Sequence, residues 1–223
     1  MIESFAKTGF AHVPSVLDAS TCRALCAQSP SKSGAGDRSL LHQPWCATLA
    51  ASLREHPALS SLLAETPVVV QCTRFAKSDK HNWLVPLHQD LSIPVADRID
   101  HPAWSGWSEK DGLLFAQPPV DVLEKMVAVR VHLDVCTREN GPLRVVSGSH
   151  RHGRLDLATA RRLRDRIGET YCTADTGDAW VMRPLLLHAS SKADGESHGQ
   201  RRVLHFLFGP AILPHGFRWN PAA

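Results

Sequence analysis

From about residue 67 onward, apolar residues alternate with polar ones or form short runs that end at Gly, Pro or Asp. Because successive side chains of a β-strand point to opposite faces, this pattern predicts strands. The predicted strands cover residues 68–75, 84–91, 126–135, 142–146, 170–172, 179–188 and 201–208. A shorter strand over 10–17 precedes them, so the chain is predicted to be mainly β.

The first part of the chain has a helical pattern instead. Helices are predicted there over residues 19–28, 45–55 and 57–65, and one more is predicted later in the chain over about 155–167. Asp18 is placed to cap the first of them, because its carboxylate can accept a hydrogen bond from a free backbone N–H of the first turn. Pro57 separates the second from the third, since proline disfavours helix at the residue before it. Residues 29–37, rich in Ser and Gly, are predicted to form a loop.

Short strands after a helical preface predict a double-stranded β-helix, the jelly-roll or cupin-like architecture. An α/β sheet would need helices alternating with strands, and the C-terminal half lacks them. We therefore expect one domain over 1–223. It has a helical preface at 1–66 and a jelly-roll core at 67–223. An irregular, lid-like insertion rich in Pro and Trp lies at 92–119.

One predicted strand carries charge on one face. Between residues 127 and 134, one set of alternating positions is apolar, whereas the other set contains Arg130, His132 and Asp134. Such a face either meets solvent or lines a polar cavity inside the barrel.

Composition excludes several classes of protein. The 223 residues are 43% hydrophobic, which suits a globular core, and the net charge of +3 is too small to indicate a nucleic-acid surface. Six Cys without a C-x-x-C pair are typical of reduced, packed thiols. No basic, then apolar, leader is visible, and no apolar run approaches the ~18 residues of a membrane span. We expect a cytoplasmic protein that acts on a small molecule, and the sequence does not indicate an oligomeric state.

Two His-x-Asp triplets are candidate metal sites, one at His88 and Asp90 and one at His132 and Asp134. Residues i and i+2 of a strand point the same way, so each triplet directs an imidazole and a carboxylate at one point. A further His, for which His188 is a candidate, would complete a two-His-one-carboxylate face that holds Fe(II) and leaves three positions open. The triplets alone do not decide between them.

Several stretches give this choice a context. In order along the chain they are TRFAK (73–77), PLHQD (86–90), ENGPL (139–143), SGSH (147–150), LHAS (187–190) and RRVLHF (201–206). In this order they resemble the phytanoyl-CoA dioxygenase family of Fe(II)/2-oxoglutarate oxygenases. In that family the turn that resembles 139–143 follows the metal motif by several tens of residues. The resemblance thus implies that His88 and Asp90 are ligands, with His188 as the distal one.

The resemblance also implies the cosubstrates, 2-oxoglutarate and O2. Arg201, which begins the last strand, would grip the far carboxylate of 2-oxoglutarate, with Arg202 as the alternative one residue along. The positions of Thr73 and Arg130 match those that line the 2-oxoglutarate pocket, although the best-aligned relative carries an aromatic residue in place of Arg130. Ser190 is a further candidate for a hydrogen bond near the cosubstrate, as is His205.

The activity implied is hydroxylation of an unactivated C–H bond of a metabolite, with release of succinate and CO2. Asp90 argues against the halogenating relatives, in which that position is vacated for chloride. Candidate substrate-binding residues are Trp83, Trp104, Trp107 and His132, for which packing is the alternative role. Two other functions remain open: an inactive or sensory module that binds metal and 2-oxoglutarate, and a cupin-like metalloenzyme of another reaction class.

Overall fold

The structure of the protein, a computed structural model, describes residues 1–28, 36–38, 40–78, 81–194 and 200–220. Most of the predicted loop at 29–37 lies outside these residues. The described α-helices are α1 (Ile2–Thr8), α2 (Ala19–Gln28), α3 (Pro44–Glu55), α4 (Pro57–Ser60), α5 (Val120–Glu124) and α6 (Leu157–Ile167), with 3-10 turns at Leu40–His42 and Ser149–His152.

The strands form three antiparallel sheets within the described part of the chain. They are β1 (Phe10–Val13), β2 (Pro67–Lys77), β3 (Val85–His88), β4 (Ile93–Pro94), β5 (Ser105–Lys110), β6 (Leu113–Gln117), β7 (Val127–His132), β8 (Leu143–Val145), β9 (Thr170–Cys172), β10 (Ala179–Met182), β11 (His188–Ser190) and β12 (Arg201–Pro210). The sheet orders are β1-β10-β7-β12-β2, β3-β11-β8-β9 and β4-β6-β5.

The five-stranded sheet has two buried faces. Val129, Val131 and Phe206 belong to one core cluster with side chains of the N-terminal helices, such as Leu49 and Leu53 of α3. The opposite face looks towards the four-stranded sheet. There Ala128, Met182 and Leu207 belong to a second cluster with Leu143, Val145 and Cys172. The mainly β class is thus confirmed, and two facing antiparallel sheets are consistent with a double-stranded β-helix.

The prediction of one strand over 179–188 is wrong. β10 ends at Met182 in the five-stranded sheet, and β11 begins at His188 in the four-stranded sheet. Between them, Pro184 lacks an N–H for a strand ladder. The N–H of Leu186 donates to the carbonyl of Arg183 at 3.0 Å, which closes a turn. The chain therefore crosses between sheets here, and His188 does not share a strand face with Trp180.

The insertion at 92–119 is also more regular than predicted, because it contains the whole three-stranded sheet. Asp111 and Gly112 form the tight turn between β5 and β6, and both have positive φ, 53° and 77°. Asp-Gly is a favoured pair in such hairpin turns. The Asp-Gly pair therefore indicated a hairpin, although the Pro and Trp content of the segment suggested irregular structure.

In the first part of the chain, the helix predicted over 19–28 has those limits in the structure, and the other predicted helices are present with changed limits. The carboxylate of Asp18 accepts the backbone N–H of Thr21 at 2.8 Å, as expected of the cap of α2. The helix predicted over 57–65 ends at Ser60, and α1 was not predicted. Helix α6 is capped by Asp156, which accepts the N–H of Thr159.

Candidate metal centre and the cavity around it

The segment that carries His88 and Asp90 is held by the residue between them. β3 ends at His88, so Asp90 lies just beyond the strand, where its backbone N–H donates to the carbonyl of Pro184 at 2.9 Å. The Gln89 amide donates to the carbonyl of Leu185 at 2.6 Å and accepts the N–H of Leu155 at 2.9 Å. These bonds fix the turn that follows the strand, and with it the direction of the Asp90 carboxylate.

His188 reaches the same point from the neighbouring strand. In the pairing of β3 with β11, His188 lies opposite His88, and the ring centroids are 4.1 Å apart. The Nε2 atom of His88 is 3.5 Å from Oδ1 of Asp90, and the Nε2 atom of His188 is 3.6 Å from Oδ2. Because N and O ligands bind a divalent metal ion such as Zn²⁺ at about 2.0–2.2 Å, two donor atoms on one ion lie roughly 3 Å apart. The spacing therefore suits a shared ion.

The backbone fixes which nitrogen of each histidine is free. Nδ1 of His88 is 2.8 Å from the carbonyl of Pro86, and Nδ1 of His188 is 2.8 Å from that of Leu186. A carbonyl oxygen only accepts hydrogen bonds, so each Nδ1 carries a hydrogen, and each Nε2, which faces Asp90, is the nitrogen that can bind a metal ion. Outer hydrogen bonds of this kind orient metal-binding histidines.

The electrostatics also suit a cation. Burial lowers the pKa of His188 to about 4, so this imidazole is neutral at neutral pH. Burial alone would raise the pKa of Asp90, but His188 and His88 hold it well below its ordinary value. Two imidazole nitrogens and a carboxylate on one side of an ion, with the other side open, are the donor set of non-haem Fe(II) oxygenases.

A cavity of about 370 Å³ opens beside these three residues. Of the predicted cosubstrate-binding residues, Thr73, Arg130, Ser190 and Arg201 all line it, and His205 does so too. The charged face of the strand at 126–134 therefore lines an interior cavity at Arg130, rather than meeting solvent.

Arg201 and Arg202 point to opposite sides of β12. Arg201 is 3% exposed, lines the cavity and contacts the Cys136 thiol. Arg202 makes two 2.7 Å hydrogen bonds to the carboxylate of Asp134, through Nε and Nη2. Asp134, the acidic residue of the second His-x-Asp triplet, is thus held by an ion pair outside the cavity.

His132, the other member of that triplet, is 1% exposed and is not among the described residues that line the cavity. Within the described ranges, neither ring nitrogen has a hydrogen-bond partner. Burial, together with Arg130 and Arg201, lowers the pKa of His132 to about 3, so the ring is neutral. The structure does not bring His132 to the metal centre.

Arg130 is a buried cation that lines the same cavity as the metal centre. It is 7% exposed, its Nη1 donates to Nδ1 of His205 at 2.9 Å, and its guanidinium lies 5.6 Å from the ring centroid of Phe75. Burial, and then the charge of Arg201, lower the pKa of Arg130 to about 10, which leaves it charged at neutral pH. The charged guanidinium of Arg130 and the neutral imidazole of His205 therefore line the same cavity.

Lys77 is a cavity residue to which the sequence assigned no role of its own. It is 2% exposed and lies opposite Arg201 in the pairing of β2 with β12. Its Nζ donates to Oγ of Ser190 at 2.8 Å and to the carbonyl of Ser191. Burial and the charge of Arg201 lower the pKa of Lys77 to about 7. The sequence did contain an indication of this position, because residues 73 and 77 of one strand point to the same face.

Ser190 connects this lysine to the turn at 139–143. Its hydroxyl donates to the carbonyl of Gly141 at 2.9 Å. Gly141 has φ of 73°, and a Cβ built there would lie 2.6 Å from the carbonyl oxygen of Ser191 and 3.0 Å from Nζ of Lys77. Glycine is thus required by both conformation and space, which explains its place in the motif.

Gly141→Ala should be far more destabilising than Gly216→Ala, which has a similar φ of 77° but nothing within 4 Å of its added Cβ. Each variant costs about 1–2 kcal/mol for a left-handed backbone. Gly141→Ala should cost roughly 1–3 kcal/mol more, because backbone atoms must move. Urea denaturation measures both, and equal losses would contradict the close approach.

The three tryptophans lie in different places. Trp83 lines the cavity, with Nζ of Lys77 5.5 Å from its ring centroid. Trp104 stacks on Phe217 with ring centroids 3.7 Å apart. Trp107 lies 6.1 Å from the same ring. Neither of these two is among the described residues that line the cavity. The insertion instead contributes Ser92, Ile93, Lys110 and Phe115 to it.

A comparison with protein families decides the class. The sequence model of the family "Phytanoyl-CoA dioxygenase (PhyH)" matches residues 5–203, most of the chain. The chain belongs to this family. The expected enzyme class, an Fe(II)- and 2-oxoglutarate-dependent oxygenase, is confirmed by this membership. No curated protein matches the sequence.

Solved structures of similar fold agree with membership of the PhyH family. HygX from Streptomyces hygroscopicus with nickel and 2-oxoglutarate bound is 19% identical, over 96% of this chain and 88% of its own, with a TM-score of 0.64. The carbocyclase SnoK from nogalamycin biosynthesis is 17% identical, over 100% and 86%, with a TM-score of 0.67. Apo EctD from S. alaskensis is 17% identical, over 94% and 76%, with a TM-score of 0.70. At these identities the likeness shows the fold.

Among the helices that the structure describes, none has the length and apolar character needed to cross a bilayer.

Proposed function

We propose that this PhyH-family enzyme is a hydroxylase that replaces a C–H bond of a small-molecule metabolite by C–OH. The other oxygen atom of O2 enters succinate, formed from 2-oxoglutarate with loss of CO2. The observation that carries the proposal is the convergence of Nε2 of His88, Nε2 of His188 and the carboxylate of Asp90 beside a cavity that Arg201 lines. Bound Fe(II) would supply the activation of O2 at this point.

The proposed ligands are His88, Asp90 and His188, each from a segment that the backbone holds in place. Arg201 is the proposed anchor of the far carboxylate of 2-oxoglutarate, since its planar guanidinium can make two parallel bonds to a carboxylate. Unlike Arg202, it has no carboxylate partner among the described residues.

Thr73, Ser190 and Arg130 are proposed to complete the cosubstrate pocket. Thr73 offers a hydroxyl to it, Ser190 lines it with the hydroxyl that binds Nζ of Lys77, and Arg130 adds a buried positive charge. Trp83 is proposed as a wall for the substrate, because it lines the same cavity. Together these groups would orient the cosubstrate and exclude bulk water from the reacting C–H bond.

The test of this function has two stages. Protein loaded with Fe(II) and 2-oxoglutarate without O2 should show the weak visible charge-transfer band of the chelate. A panel of metabolites is then added with O2, and succinate and product masses are measured. We expect at least one metabolite to stimulate succinate release and to gain one oxygen atom.

Other outcomes of this test would overturn the proposal in distinct ways. A product that loses two hydrogens, or that changes stereochemistry at constant mass, would assign another oxidative outcome. A band without succinate release for any metabolite would favour a sensory or inactive module. Absence of the band would mean that the protein does not bind Fe(II) and 2-oxoglutarate together, and the proposed metal centre would be wrong.

A further inference from the structure

The cavity beside the metal centre is strongly unbalanced in charge. The cationic residues that line it are Arg38, Lys77, Lys110, Arg130 and Arg201. Among the described lining residues, the one acidic side chain is that of Asp90. We propose that the substrate is an organic anion with an apolar body, whose acid group is held at Lys110 beside Arg38. This inference rests on the proposed function and names the substrate class of the same site.

The metal and cosubstrate do not account for the excess of positive charge. Fe(II) and Arg201 together carry three positive charges, and Asp90 and the 2-oxoglutarate dianion carry three negative ones. That set is neutral by itself. Of the other four cations, Arg38 is paired with Asp111. Arg130 and Lys110 remain, together with Lys77 in the fraction of molecules where it is protonated.

Arg130 shows that the imbalance reaches the cavity interior. It is 7% exposed, and its Nε atom has no hydrogen-bond partner in the parts of the chain that are described. Within the described chain, its side chain donates a hydrogen bond to the neutral ring of His205. A buried cation without a counter-charge is unfavourable unless an anion joins it. The field from Arg130 therefore favours anions throughout the cavity.

Lys110 is the cation placed to receive the acid group. It ends β5 on the hairpin of the insertion and is exposed, whereas Lys77, Arg130 and Arg201 are buried, so it marks the outer part of the cavity. Its ammonium lies 4.9 Å from the ring centroid of Phe115, and no described carboxylate pairs with it. It is held near the cavity by an aromatic face and remains available to an anion.

The neighbouring cation has a different role. Nη1 of Arg38 bonds to Oδ2 of Asp111 at 2.9 Å, which ties the segment 36–38 to the turn of the β5–β6 hairpin. Asp111 thereby neutralises Arg38, whereas Lys110 has no carboxylate partner among the described residues. The ion pair links the hairpin that carries Lys110 to a second segment that lines the cavity.

The apolar part of the proposed substrate follows from the other lining residues. Phe115 and Ile93 are 2% and 1% exposed, and Leu91 and Leu207 also line the cavity. An acid group at Lys110 would place the attached carbon skeleton along these side chains, towards His88 and Asp90. A neutral or cationic substrate would leave Lys110 and Arg130 without a counter-charge.

Matched pairs of an acid and its amide test this inference. The probes are butanoate and butanamide, hexanoate and hexanamide, and phenylacetate and phenylacetamide. Each is titrated anaerobically into protein loaded with Fe(II) and saturating 2-oxoglutarate, and the shift of the visible band is followed. We expect at least one acid to bind about tenfold or more tightly than its amide, as a charge-assisted hydrogen bond implies.

Two variants separate recognition at Lys110 from a general effect of charge. Lys110→Gln should weaken binding of that acid about tenfold and leave binding of its amide unchanged. Lys125→Gln, which removes an exposed lysine that is not among the lining residues, should change neither. Loss of the band itself would refute the proposed function. Three other results would refute the anionic substrate and leave the proposed function standing. They are a band that forms while no acid binds, equal binding of acid and amide, and an unchanged affinity in Lys110→Gln.

Discussion

Asp90→Ala is expected to lower 2-oxoglutarate-dependent succinate formation by more than about a hundredfold, since even loss of a partner behind a metal ligand costs 10–100-fold. Asp90 offers one carboxylate oxygen to each histidine, at 3.5 and 3.6 Å. Its removal leaves two neutral donors and deletes the negative charge that favours a dication. The same variant should lose Fe(II) on gel filtration, and metal analysis of the eluted protein measures this loss directly.

Asp97→Ala is the matched control, because Asp97 is an exposed carboxylate that bonds to Arg218 at 2.6 Å on the surface. It should retain iron and turnover. Circular dichroism of both variants separates loss of metal from loss of fold. If Asp90→Ala kept bound iron and normal succinate formation, the proposed ligand set would be wrong.

Arg201→Ala is expected to weaken 2-oxoglutarate binding by roughly a hundredfold, because two charge-assisted hydrogen bonds to one carboxylate would be lost. The expected effect falls on the apparent KM for 2-oxoglutarate, with a smaller effect on kcat once the cosubstrate is saturating. Titration of the anaerobic Fe(II) protein with 2-oxoglutarate gives the affinity without turnover.

Arg202→Ala provides a control on the adjacent residue with the same chemistry. It breaks the two 2.7 Å bonds to Asp134, so it should cost about 1 kcal/mol of unfolding free energy. Its affinity for 2-oxoglutarate should stay unchanged. The reverse pattern, with 2-oxoglutarate affinity lost in Arg202→Ala alone, would mean that the proposed anchor is displaced by one residue.

The alternation of side chains along the predicted strands was more informative about the site than the predicted ends of those strands. Along β12, the alternation predicts that Arg201 and His205 share one face and that Arg202 lies on the other, and the structure has them so. For the strand at 126–134 it separated the charged face from the apolar one. It could not say whether that face was covered, because the opposing sheet comes from distant parts of the chain.

One wrong prediction and one missed residue depend on contacts between distant parts of the chain. The apolar run 179–188 resembles one strand, and only the change of sheet at Pro184 separates β10 from β11. Lys77 ends a strand, where lysine is ordinarily exposed. Its burial depends on Ser190 and Ser191, more than a hundred residues away in the sequence. Local pattern carries no information about such a partner.

The pairing of His88 with His188 has a consequence for the sheet itself. β3 is an outer strand of only four residues, and β11 is its sole neighbour in the described sheet. An ion bound to both imidazoles would cross-link this short edge to the sheet interior and close a loop of about a hundred intervening residues. Iron binding and the pairing of β3 with β11 would then be linked equilibria, so that each stabilises the other. The residues that bind the metal would thus also stabilise the edge of the four-stranded sheet.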